Sequence, residues 1–240
     1  MAHLIVHHRP LALAPCTPPR PLTIVLGSSS KFRRGLLGTL LPNNTDINCP
    51  VVTLTFDAPD IDEAALGVED RQAGHAEKLT TRLAHAKADA LEAKWRAEHT
   101  ENNDDNAVVL LITSDQVIRY DGTIREKPES PEQCKQFLAS YVTHPAETVA
   151  AVVVTDVRTG TRLERVVIGR QAWKPVPEDV ADAVIAKGDI MYCAGGFMID
   201  EPLLYAYLGD RDGDPDTIIG MPLAATREML EAAYAVAINE

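Results

Sequence analysis

The chain has 240 residues, 45% of them hydrophobic and 24% charged, with a formal net charge of -12. That length and balance describe an ordinary globular protein of one large domain or two joined lobes, and the acidic excess excludes general nucleic-acid binding, which needs a basic face. No apolar run reaches the roughly 18 residues of a membrane-crossing helix.

Residues 1–21, MAHLIVHHRPLALAPCTPPRP, are Pro-rich and lack acids. With only Arg9 and Arg20 for positive charge they make a poor targeting segment, so they read as a disordered extension ahead of a domain over 22–240. Cys16, Cys49, Cys134 and Cys193 form no CxxC pair and have no histidine at zinc-ligand spacing. That pattern fits idle thiols in the reducing cytoplasm.

Leu22 to Leu26 is a short apolar run and predicts a buried strand. Ser28, Ser29 and Ser30 then open a helix. Lys31, Arg33 and Arg34 stand in its first turn, where a cation costs about 0.3–1 kcal/mol against the macrodipole. The placement makes sense if an anion docks on the helix start, where N–H groups, hydroxyls and guanidinium groups converge. The turn is not GxxxxGK[ST], so a Walker loop is excluded. PDIDE, 59–63, places Asp60, Asp62 and Glu63 after a proline.

Ala76 to Trp95 predicts a helix with Leu79, Leu83, Ala86 and Ala90 as its apolar stripe, and Lys87 on the border of that stripe. ENNDDN, 101–106, is a polar break. AVVLLIT, 107–113, predicts a mid-sheet strand whose end delivers Ser114 and Asp115. Tyr120-Asp121-Gly122 predicts a hairpin turn, and Lys127 precedes a proline that holds it extended. A helix is expected over Ser130–Tyr141, with Pro131 in its first turn. Strands are expected over Ala146–Thr155 and Leu163–Ile168, turning at Thr159-Gly160. A helix over Pro177–Lys187 ends at Gly188, and a last helix starts near Leu223. Strands and helices alternate, so the fold class is α/β.

The segments GSSSKFRRGLL, IDE, RLAHAKADAL, ITSDQVI, IREKP, CAGGFMIDEP and DPDTIIGMPL occur in the order found in the Maf family. The chain resembles that family over about residues 22–235. The resemblance implies an elongated mixed sheet with flanking helices, in two lobes around a nucleotide cleft, a fold shared with inosine triphosphate pyrophosphatases. It implies a Mg²⁺- or Mn²⁺-dependent hydrolase that splits a nucleoside triphosphate into monophosphate and pyrophosphate, a housekeeping role and a homodimer. By position, Ser28 and Arg33 match the family's phosphate-binding serine and second arginine, although Lys31-Phe32 replaces Pro-Arg. Glu63 matches a metal-binding acid, Lys87 and Lys127 match the lysines on phosphate oxygens, and Asp115 matches the proton acceptor, sharing the metal with Glu63.

Phe32, Gln116 and Asp200 occupy the positions that separate the family's branches. The branch resembling dTTP and UTP hydrolases carries Arg, Thr and Gln there. The branch preferring 7-methyl-GTP carries Trp, Gln and Glu. This chain is similar to the second, since an aromatic face and a carboxylate suit a cationic base and an arginine repels it. The alternatives are a dTTP/UTP pyrophosphatase of the same family and a nucleotide-binding regulator of cell division.

Overall fold

The computed structural model describes residues 8–42, 50–99 and 107–239. The ENNDDN break and Cys49 lie outside them. Seven strands make one mixed sheet: β1 (Leu22–Gly27), β2 (Val52–Phe56), β3 (Val108–Tyr120), β4 (Thr123–Arg125), β5 (Ala146–Asp156), β6 (Arg162–Trp173) and β7 (Leu208–Asp212), in the order β2-β1-β3-β5-β6-β7 with β4 paired to β3. The helices are α1 (Lys31–Gly38), α2 (Val68–Gln72), α3 (Ala76–Glu98), α4 (Pro131–Ser140), α5 (Glu178–Lys187), α6 (Pro215–Ile219) and α7 (Leu223–Ala237).

β1 is parallel to both β2 and β3 and is covered on both faces, which is why it reads as an unbroken apolar run. Alternation sends Leu22, Ile24 and Leu26 toward Leu37 of α1 and Leu230 and Tyr234 of α7. Val25 and Leu111 face the other way, onto Leu91 of α3. Leu230 is fully buried, so truncating it to Ala costs about 2–5 kcal/mol. A second cluster gathers at the far end of β3, where Ile118 and Tyr120 pack with Tyr141, Trp173, Val184 and Phe197. The two clusters are the two lobes, and the same sheet runs through both.

β3 continues well past Thr113, correcting the expectation that it ends there. Its pairing with β5 persists from Leu110↔Asp156 to Arg119↔Glu147, so Asp115 stands within the strand, opposite Ala151. On the other edge β1 stops at Gly27↔Thr113 and β4 begins only at Ile118↔Arg125. Residues 114–117 therefore have a strand neighbour on one side only. This gap, at the C-terminal ends of parallel strands, is where open α/β sheets accept ligands.

The Tyr120–Thr123 hairpin turns as expected, with positive φ at Asp121 and Gly122 as a type I′ turn requires. Ser130 caps α4 by accepting from Gln133 N, and Gly188 ends α5. β6 runs on to Trp173 because it pairs with β7, a strand without an apolar signature.

Two further expectations are revised. In α3 the buried face is Leu79, Leu83, Ala84, Lys87, Ala88 and Leu91, so Lys87 lies inside the stripe and not on its border. Residues 8–21, expected to be loose, lie on the domain. Leu11 is buried beside Leu40, whose carbonyl accepts from Leu11 N at 2.8 Å. Arg9 makes a two-bond pair with Glu231, and Tyr234 Oη donates to the Arg20 carbonyl. Composition registers two scattered arginines and cannot register the carboxylate and carbonyls that wait for them.

Candidate active site

A cleft of about 530 Å³ opens at the gap in the β3 edge, between the two lobes. Ser28, Phe32, Arg33, Glu63, Lys87, Asp115, Gln116 and Lys127 all line it. Of the nine residues given a site role from the sequence, Asp200 alone is absent from the wall; Asp60 and Asp62 of PDIDE do not line it either.

The loop between β1 and α1 forms one side. Ser30 caps α1 by accepting from Arg33 N, and Ser28 Oγ accepts from Ser30 N. Arg34 donates twice to the Ser28 carbonyl, at 3.2 and 3.1 Å, and its guanidinium lies over Phe56. Arg33 points the other way. Its Nη1 donates to Ser114 O and its Nε to Gly220 O, both at 3.0 Å. Ser114 lies just beyond the last residue of β3 that β1 covers, so Arg33 stands in for the missing strand neighbour. Burial lowers the Arg33 pKa, and the nearby Asp115 and Glu63 carboxylates oppose that shift.

The floor carries the strongest charge pairing. Lys87 Nζ donates to Asp115 Oδ1 at 2.6 Å and lies 2.9 Å from Glu63 Oε1. Lys87 and Asp115 are both buried, whereas Glu63 is exposed. Burial pushes the Asp115 carboxyl above its ordinary range, and the charge and hydrogen bond of Lys87 pull it back. Glu63 rides on a turn fixed from behind: Arg71 donates to the Glu63 and Leu66 carbonyls and pairs with Glu126. Asp62 accepts from Ala65 N, so it shapes that turn.

Lys127 reaches the cleft from the loop after β4, exposed and without an ion-pair partner among the described residues. Gln116 donates to Ile218 O at 3.2 Å and packs against Gly220, whose φ of +120° and closeness to the Gln116 amide leave no room for a side chain. Its amide is thus partly committed to holding the wall. Asp200 is half-buried outside the wall, and burial raises its carboxyl pKa.

Glu63 and Asp115 offer hard oxygen donors that already converge on one cation, the Lys87 ammonium. That set fits Mg²⁺ or Mn²⁺, which take one or two protein carboxylates and complete their shell with phosphate oxygens and water. Among the described residues the cluster of three metal-capable side chains is His8, Asp214 and Asp216, and none of these lines the cleft.

Sequence reasoning missed Asp189 and Tyr192, which line the cleft, and took Cys193, which lines it too, for an idle thiol. Asp189 and Tyr192 lie in GDIMY, just ahead of the CAGGFMIDEP segment, and that stretch carries no charge pattern or motif that sets it apart. Arg71 and Gly220 were also missed, since their roles are to brace Glu63 and Arg33.

A family model described as Maf-like protein matches residues 23–233. A 7-methyl-GTP pyrophosphatase of Dictyostelium discoideum is 35% identical over 211 residues, covering 88% of this chain and 96% of that protein. Proteins of the same name from Idiomarina loihiensis and Burkholderia orbicola are 30% and 33% identical, covering 87% and 91% of this chain and 93% and 91% of their own.

Proposed function

This chain belongs to the Maf family, and on that premise we propose that it is a nucleoside triphosphate pyrophosphatase whose substrate is 7-methyl-GTP. The observation that carries the reading is the buried Lys87 bridging Asp115 and Glu63 beneath a cation-rich serine loop, in a protein whose net charge is -12. A binder of polyphosphate has no use for two carboxylates at that spot, since they repel the ligand. A hydrolase needs them.

In this reading Ser28, Arg33, Lys87 and Lys127 hold phosphate oxygens and offset the charge that builds as the α–β anhydride bond breaks. Glu63 and Asp115 would hold a divalent cation, which would neutralise charge on the triphosphate and activate a water. Asp115 takes the proton from the water as its oxygen bonds to the α-phosphorus and pyrophosphate leaves. A base performs best with a pKa near the working pH, and burial moves Asp115 in that direction. Phe32 and Gln116 belong to the base end of the cleft. No helix among the described residues is long and apolar enough to cross a membrane.

The test is turnover of 7-methyl-GTP, GTP, dTTP and UTP with Mg²⁺, reading pyrophosphate and monophosphate, with a chelator control. Pyrophosphate from 7-methyl-GTP in preference to the others supports the reading. A preference for dTTP or UTP overturns the base assignment, and failure to release pyrophosphate from any nucleotide overturns the activity.

A further inference from the structure

We propose that Asp189 is the carboxylate that reads the positive charge of the base, and that Tyr192, three residues on, is the aromatic surface the base stacks against. The inference deepens the reading above and rests on it for the identity of the base. Asp189–Tyr192 is a single 3₁₀ turn. Side chains at i and i+3 of such a turn eclipse one another, so the two residues share a face, and both line the cleft. Ile190 points inward and is fully buried, which anchors the turn in the core of the second lobe. Gly188, with φ +86°, lets α5 end and the turn begin without an intervening loop.

Two observations point to a cationic, flat ligand. First, Tyr192 is 78% exposed, so its ring contributes little to the core while standing at the mouth of a nucleotide-sized cleft. Second, the chain already holds a cation of its own at this place. Lys31 Nζ lies 3.2 Å from Asp189 Oδ1 and 5.3 Å from the centroid of the Phe32 ring. An aromatic face and a carboxylate together hold that ammonium, within the range at which a ring quadrupole attracts a cation. Lys31 and Asp189 are both well exposed, so this pair is weak and exchangeable. A base made cationic by N7-methylation takes the place of the ammonium, and Lys31 is released toward the phosphates.

Asp200 lacks these properties. It lies outside the wall, its backbone carbonyl accepts from Tyr205 Oη, and its burial favours the neutral carboxyl.

The experiment measures the affinity of 7-methyl-GMP and of GMP by calorimetry for the intact protein and for Asp189→Asn, Asp189→Glu, Asp200→Asn and Tyr192→Leu. The expected wild-type preference for the methylated nucleotide is about tenfold or more, the size of one exposed cation–π and charge contact. Asp189→Asn brings that ratio to about one, Asp189→Glu keeps most of it, and Asp200→Asn keeps all of it. Tyr192→Leu weakens 7-methyl-GMP by about tenfold. Retention of the ratio in Asp189→Asn, its loss in Asp200→Asn, or no preference in the wild type overturns the proposal. Pyrophosphate release from 7-methyl-GTP is measured in parallel on the same samples. Preference in binding that depends on Asp189, without pyrophosphate release, sinks the catalytic reading and leaves this one standing. Release with an unchanged ratio in Asp189→Asn does the reverse.

Discussion

Lys87 Nζ lies 2.6 Å from Asp115 Oδ1, and the two residues, one on α3 and one within β3, are both buried. The helix packs on the sheet through Leu83, Ala84, Ala88 and Leu91, so the ammonium is delivered to the carboxylate by the same face that forms the core. A charge pair made this way cannot drift. It also leaves the Asp115 carboxyl under two opposed influences, burial and a fixed cation.

Asp115→Asn is expected to remove turnover while nucleotide binding persists. Loss of a general base costs about 10²–10⁴ in rate, and loss of a cation ligand adds to it. Pyrophosphate release and nucleotide affinity, measured on the same sample, check this. Turnover near the wild-type rate would refute the role.

Lys87→Met is expected to destabilise the protein in a pH-dependent way. Removing one partner of a buried pair costs about 3–5 kcal/mol. Without Lys87 nothing so close opposes burial, so the folded pKa of Asp115 rises further above its unfolded value of about 3.9. An acid raised in this direction costs no stability below the unfolded pKa and imposes its full cost above the folded one. The Tm deficit of the variant should therefore be smaller at acid pH than at neutral pH. An equal deficit across that window would show that Asp115 is not the group responsible.

Arg33→Lys should lower both activity and Tm. Lysine keeps the charge but cannot serve Ser114 O and Gly220 O together, as Nη1 and Nε of Arg33 do. Each charged hydrogen bond is worth about 1.5–3 kcal/mol. A contact used only for phosphate would change kcat/KM and leave Tm in place, so thermal unfolding beside kinetics separates the two roles.

Cys193 lines the cleft, yet its thiol should resist alkylation. Burial, helped by Asp200 and Asp189, pushes it up to about 12. At pH 8 its thiolate fraction is then on the order of 10³-fold below that of a free thiol with a pKa of about 8.5. Mass spectrometry of iodoacetamide-treated protein reads this directly. Modification of Cys193 at the rate of a small thiol would contradict it.

The sequence by itself determined the alternation of strands and helices, the serine cap followed by cations, and the hairpin turn at Tyr120-Asp121-Gly122. Each of these is local: apolar period, cap chemistry and φ preference act within a few residues. It also marked eight of the residues that line the cleft, because their motifs stand in a family order. Only the tertiary structure decided that Lys87 faces inward, since the stripe of α3 is set by what packs on it. Only pairing decided that Asp115 lies within β3, because the strand's length depends on β5 and the gap at 114–117 depends on where β1 and β4 stop. Arg9 and Arg20 find their partners on α7, more than 200 residues away in sequence. Asp189 pairs with Lys31, beside the serine loop, across 158 residues of sequence. Contacts of that kind arise from the closing of two lobes on one sheet, a property of the assembled core that no short stretch of chain encodes.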